Sequence, residues 1–312
     1  MLVPDKGHSL PSGRSYGGRM MTMSNEALIP SVTHRDPKGR KAVDLFEVAY
    51  DKVKLDEEGA QRLNENGGEF QDRIMAVIRE FATSNQYADE ETESKYGYLS
   101  GYAPKDITAQ TNRLRELFTG IGYADEQVAQ GELLASAEGW FAIPKWQTMA
   151  ATYGEAVQKV LDMIKQTRSG KFYNYCENLL DPARLRQSAK SEKAWEAIAE
   201  RQPNHDIMVV QAQFGLVHRG RSVRRAREVM NTNQFGLGAF AVGIMLLTHP
   251  ERLQNYDDLY VDCAGDEFSP EADGKFGHAP CFHFDGGKVK FNAYWVSGTR
   301  ACYGSASGFL PQ

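Results

Sequence analysis

The run FGLGAFAVGIMLL, Phe235 to Leu247, constrains the fold more than any other stretch of this chain. Its thirteen residues carry no charge. A membrane span needs roughly 20 apolar residues, so the run is too short to cross a bilayer. A half-buried strand would alternate polar and apolar positions, and this run does not. It therefore predicts a helix buried on every side. Its glycines do not match the dinucleotide pattern GxGxxG and are expected to let neighbouring elements pack closely. With 312 residues, 41% of them hydrophobic, the chain can supply a core around such a helix.

The sequence ahead of this run is helical in texture. Val43 to Leu55 and Glu69 to Phe81 have helical periodicity, and in the second Phe70, Ile74, Val77, Ile78 and Phe81 build one stripe. ITAQTNRLRELFTGIG predicts a helix with Thr108 as a possible cap. YADEQVAQGELLASAEG predicts a second helix and TYGEAVQKVLDMIKQT a third. SEKAWEAIAERQ predicts a short helix capped by Ser191, and the tryptophans of WFAIPKW are expected to plug a core. ADEETESKYGYLSGYAPKD has no periodicity and reads as a loop or linker, a possible sub-domain break at 87–104. From Pro203 the texture changes. HDIMVVQAQFGLV, DLYVD, APCFHF and KVKFNAYWV read as strands, with a hairpin turn at Gly286-Gly287. The expected class is α+β. A disordered leader (1–28) precedes a mostly helical region (29–202) and an α+β region (203–312) with a small sheet.

Charge is unevenly spread. Residues 1–41 hold seven Lys or Arg against three acids, whereas residues 42–106 hold fifteen acids against seven bases. The sequence pI near 5.9 argues against wholesale polyanion binding, so any nucleic-acid contact must be local. Four scattered cysteines fit a reducing compartment, and the N-terminus lacks the apolar stretch of a secretory signal. A cytoplasmic protein with no membrane contact is expected.

Within this acidic chain HRGRSVRRAREVM packs five arginines into nine residues. Gly220 permits a sharp turn and Ser222 is a good N-cap. Cations at a helix N-terminus oppose its dipole unless an anion balances them. His218, Arg219, Arg221, Ser222, Arg224, Arg225 and Arg227 thus form a candidate anion site, since arginine's planar fork suits phosphate. The alternatives are that acids from 42–106 neutralise the segment, or that it is a solvated face. No P-loop is present.

A second dense stretch lies nearer the C-terminus. Asp262, Asp266 and Glu267 at a strand end could hold a divalent metal ion such as Mg²⁺ or Ca²⁺, although acidic turns also form for local reasons. Cys263, His278, Cys281 and His283 are zinc-competent ligands in no familiar zinc spacing, with His278 expected in a turn. Three functions follow as expectations. The first is a binding protein whose arginine segment holds nucleic acid or another phosphate-bearing ligand. The second is a structural protein, self-associating through acidic and basic regions, with no small-molecule site. The third is a metal-dependent phosphoesterase or nuclease.

Overall fold

The structure, a computed structural model, describes residues 34–82 and 85–311. The glycine-rich leader expected at 1–28 lies outside the described residues. Two units divide the chain, Met1–Leu45 and Phe46–Gln312. The described part of the first, residues 34–45, holds the opening turns of α1 (Pro37–Val53).

The second unit is α+β, as the sequence pattern predicts. α2 (Glu57–Glu65) and α3 (Gly67–Ala82) form the acidic helical stretch. Phe70 of α3 meets Phe46 with ring centroids 6.5 Å apart. α4 (Ile107–Leu117) is capped by Asp106, whose carboxylate accepts from Ala109 N at 2.7 Å, rather than by Thr108. β1 (Gly139–Pro144) follows, then α5 (Tyr153–Thr167), which opens on a capping box made by Thr152 and Glu155. The helix expected over 123–139 is not there; the only regular piece is a 3₁₀ turn, Glu126–Gln130. Tertiary contacts take over instead. Gln211 accepts from Leu134 N at 2.8 Å and donates to Glu132 O at 2.9 Å, holding the segment in an irregular path.

After α5 come β2 (Phe172–Asn174), β3 (Leu185–Gln187) and α6 (Ala189–Arg201). Ser188 caps α6, and Ser191 is buried, donating to Gly236 O at 2.9 Å. β4 (Ile207–Gln213) leads into α7 (Val223–Val229), β5 (Gln234–Gly236) and α8 (Ala239–Thr248). The chain ends with β6 (Tyr260–Asp262), β7 (Asp266–Phe268), β8 (His278–Asp285), β9 (Lys288–Trp295), β10 (Tyr303–Ser305) and β11 (Ser307–Phe309).

Two sheets result. One has the order β1-β4-β11-β5, antiparallel throughout. The other runs β10-β6-β8-β7-β3, with β9 beside β8 and β2 beside β9. β1 pairs with β4 from Gly139↔Ala212 to Pro144↔Ile207. The expected boundary at 202/203 is therefore bridged by a sheet, and strands lie on both sides of it. Every residue of α8 is buried, as the apolar run demands. A Cβ on Gly243 would stand 2.5 Å from Val160 Cγ1, so the glycine lets α5 approach α8. No described helix is long and apolar enough to cross a membrane.

Candidate functional site

The arginine segment forms the turn and short helix that its sequence predicts. Gly220 sits at φ +75°, and a Cβ there would lie 2.1 Å from the Thr92 carbonyl. Thr92 N donates to Gly220 O at 2.7 Å, so the acidic segment read as a linker is strapped across the turn. Ser222 caps α7, accepting from Arg225 N at 3.1 Å and donating its hydroxyl to Glu90 at 2.6 Å.

That strap carries counter-ions. Arg224 Nε donates to both carboxylate oxygens of Glu90 at 2.8 Å, and the guanidinium lies over the Tyr87 ring. Arg225, buried, meets Glu91 at 2.5 Å and Glu228 at 2.9 Å. Arg221 meets Glu91 at 3.3 Å. Arg227 donates to the carbonyls of Ala264 and Asp266, at 2.9 and 2.6 Å. Arg219 is exposed and donates to Tyr96 O at 3.2 Å. His218 is buried, and burial together with Arg221 pushes its pKa down to about 3. The hydrogen bond from Arg224 holds Glu90 below the ordinary carboxylate range. Burial works to raise Glu91, but Arg225 and Arg221 outweigh it and the net shift is downward. The dipole puzzle has an internal answer: Glu90 supplies negative charge at the N-terminus of α7, the end that favours it.

The C-terminal candidates do not converge. Asp266 is fully buried and accepts from Tyr153 Oη at 2.8 Å and from Ala239 N, at the start of α8, at 2.7 Å. Burial pushes its pKa up to about 7. Glu267 lies on strand β7 rather than in a turn, and alternation points it the other way, where it pairs with Arg186 at 2.7 Å. Asp262 is buried on β6, opposite Cys281 of β8. His278 begins β8 rather than sitting in a turn, and its ring lies against Trp295. Strand alternation puts His278 on the opposite face from Cys281 and His283. His283 stacks on Tyr260 at 4.9 Å, and burial lowers its pKa to about 4. Burial raises the thiols of Cys263 and Cys281 well above their ordinary value. Among the described residues no three His, Cys, Asp or Glu side chains come together as a metal site requires. The expected Asp262–Asp266–Glu267 and Cys263–His278–Cys281–His283 sets are both divided by strand pleating.

A cleft of about 580 Å³ opens between the end of β1, α5 and α6. Trp146, Tyr153, Trp195, Phe240 and Met208 give it an apolar and aromatic wall. Trp146 crosses Tyr153 edge-on at 5.9 Å and donates Nε1–H to Gln187 at 3.2 Å. Trp195 is fixed edge-on against Phe235 at 5.3 Å. Along its lip run Glu192, Glu196 and Glu200, one helical turn apart on α6 and exposed. None of the three forms an ion pair with a described residue. The cleft's cation, Lys145, donates to Gln202 O at 3.0 Å. Sequence reasoning passed over this row, although the i, i+4, i+8 spacing of the glutamates in SEKAWEAIAER was its signal. The tryptophans of WFAIPKW pack half-buried against the core, as expected of a plug, and the second of them also lines the cleft. No protein family, curated protein or solved structure matches this chain.

Proposed function

We propose that this chain is a binding protein that takes a cationic ligand in the cleft between Trp146 and Trp195. The observation that carries the reading is the row of glutamates 192, 196 and 200, without a cationic partner among the described residues, at the lip of an aromatic-walled cavity. The cavity volume falls in the range of small-ligand sites, roughly 300–1,000 Å³. Like charges four residues apart on a helix cost about 0.2–0.5 kcal/mol per pair. A bound cation reverses that sign and gains cation–π contact with the indoles. The arginine segment argues the opposite case poorly. Its first-turn guanidinium groups are held by Glu90, Glu91 and Glu228, and a phosphate would have to displace them.

The test is a titration with spermidine, followed by tryptophan fluorescence at low and high salt. Saturable quenching that weakens with salt, and is lost in the triple variant Glu192→Gln, Glu196→Gln, Glu200→Gln, supports the reading. No quenching, combined with salt-sensitive retention on a heparin column, would return the site to the arginine segment and a polyanion partner.

A second reading, self-association, rests on a different observation. Phe46, Val53, Ile78 and Phe81 on α1 and α3 are exposed, Phe81 at 83%. Most helical stability in proteins comes from packing an apolar face, which these side chains leave uncovered. Light scattering at low and high salt tests it: a dimer that survives high salt favours an apolar interface, and a monomer under both conditions removes the reading.

A further inference from the structure

A small pocket of about 110 Å³ lies on the polar face of the second sheet, independent of the cleft above. Asp262 forms part of its wall at 5% exposure, and among the described residues no donor reaches its carboxylate. In-register beside it on β10, Ser305 holds a buried hydroxyl that has no partner either. Arg300 stands on the same wall. It lies over the rings of Tyr294 and Tyr303, at 5.1 and 5.4 Å, and donates to Tyr303 Oη at 3.2 Å, with no carboxylate partner among the described residues. Tyr294, Trp295 and Tyr303 complete an aromatic rim.

A buried carboxyl and a guanidinium therefore share one pocket without bonding to each other. Burial pushes the Asp262 carboxyl up to about 8 against the lowering pull of Arg300, which stands near without bonding it, and an arriving ammonium would send the carboxyl proton to solvent. A lone cation would satisfy Asp262 and be repelled by Arg300. A lone anion would do the reverse. We infer that the pocket binds a small zwitterion of the α-amino-acid class, its ammonium on Asp262 and its carboxylate on Arg300. Size agrees: a cavity of about 150 Å³ takes benzene, so 110 Å³ suits a ligand slightly smaller than that ring.

The test is calorimetry of the full chain with glycine and L-alanine, against methylammonium, acetate and acetamide as half-ligands. Glycine or alanine should bind at millimolar concentration or better, with each half-ligand weaker by about tenfold or more. Asp262→Asn and Arg300→Gln should each cost about tenfold or more while leaving the circular dichroism spectrum unchanged. Glutamine in place of Glu192, Glu196 and Glu200 should leave glycine binding unchanged, which separates this site from the cleft. Three results would each overturn the inference: no heat from either amino acid, acetamide binding as well as glycine, or both variants binding as the parent does.

Discussion

Replacing Arg225 by alanine separates a structural role for the arginine segment from a ligand-binding one. The Arg225 side chain is 10% exposed, and that of its partner Glu228 only 6%. Removing the cation leaves Glu228 buried without its Arg225 contact, though still accepting from Gln86 N and Tyr87 N at 2.8 and 3.1 Å, and Glu91 short of its 2.5 Å contact. Breaking a buried ion pair from one side costs about 3–5 kcal/mol. Arg224, with a side chain 38% exposed, sits where solvent screens its pair with Glu90, so Arg224→Ala should cost clearly less than Arg225→Ala. Urea unfolding followed by circular dichroism reads both. With a slope near 3 kcal/mol/M, the Arg225→Ala midpoint should fall by about 1–2 M and the slope should stay unchanged. Adding Glu228→Gln to Arg225→Ala should restore part of the loss, because a buried charge lacking its cation is gone, and only part, because the bonds from Gln86 N and Tyr87 N weaken with it; the double-mutant cycle measures that coupling. A free anion site predicts the contrary. If Arg225→Ala costs less than about 1 kcal/mol and shows no coupling to Glu228, the guanidinium is solvated and the internal clasp is wrong.

Other expectations follow from the same geometry. Burial raises the Asp262 carboxyl to about 8 and Asp266 to about 7, with Arg300 and Arg227 opposing the shift of Asp262. A raised folded pKa favours the protonated native state, so stability should fall as pH rises from about 4 to 8. Asp262→Asn should flatten the upper part of that decline, and a melting temperature unchanged between pH 5 and 8 would contradict it. At the acid end Glu90 and Glu91 are depressed, so their stabilisation is present above the ordinary value of 4.5 and is lost as pH falls through their lower folded values. Gly220→Ala should destabilise by about 1–3 kcal/mol, since a Cβ at φ +75° meets the Thr92 carbonyl, and should speed exchange of the Thr92 amide. Native-state maleimide labelling read by mass spectrometry should modify Cys302 first, because Cys176, Cys263 and Cys281 are buried; fast labelling of Cys281 would contradict the packing.

Much of the scaffold was legible where one period dominates. The 3–4 spacing of Ala156, Val157, Val160, Leu161 and Ile164 marked α5, and each of these is buried. The Gly286-Gly287 signal marked the β8–β9 turn, and both residues take positive φ. Failures came where distant residues overrule local preference. The segment 123–139 has helix-compatible composition, but Gln211, more than seventy residues away, satisfies its backbone in another conformation. The caps lie two residues ahead of the expected one at α4 and three ahead at α6, because neighbouring Asp, Ser and Thr compete for the same amides. The strap is the element least visible to local patterns. Its acids were noted as possible neutralisers of the arginines, but no local pattern places Glu90 beside Arg224, 134 residues away.

The electrostatic logic of the fold comes down to which charges find internal partners. A helix dense in arginine draws attention because unpaired cations at its N-terminus would be unfavourable. For the same reason a folded chain is under pressure to pair them, and here Glu90 and Glu91 do so on a segment without helical or strand periodicity. Density of charge in sequence therefore points to the place where compensation is most needed, and a charge row that looks ordinary can be the one left open. Glu192, Glu196 and Glu200 sit on α6, an ordinary amphipathic helix, yet they face a cleft instead of a cation. If Glu196→Gln raises the melting temperature while spermidine binding weakens, that row carries strain that a ligand relieves. If neither quantity moves, the glutamates are merely solvated, and the cleft's aromatic wall alone does not specify a cation.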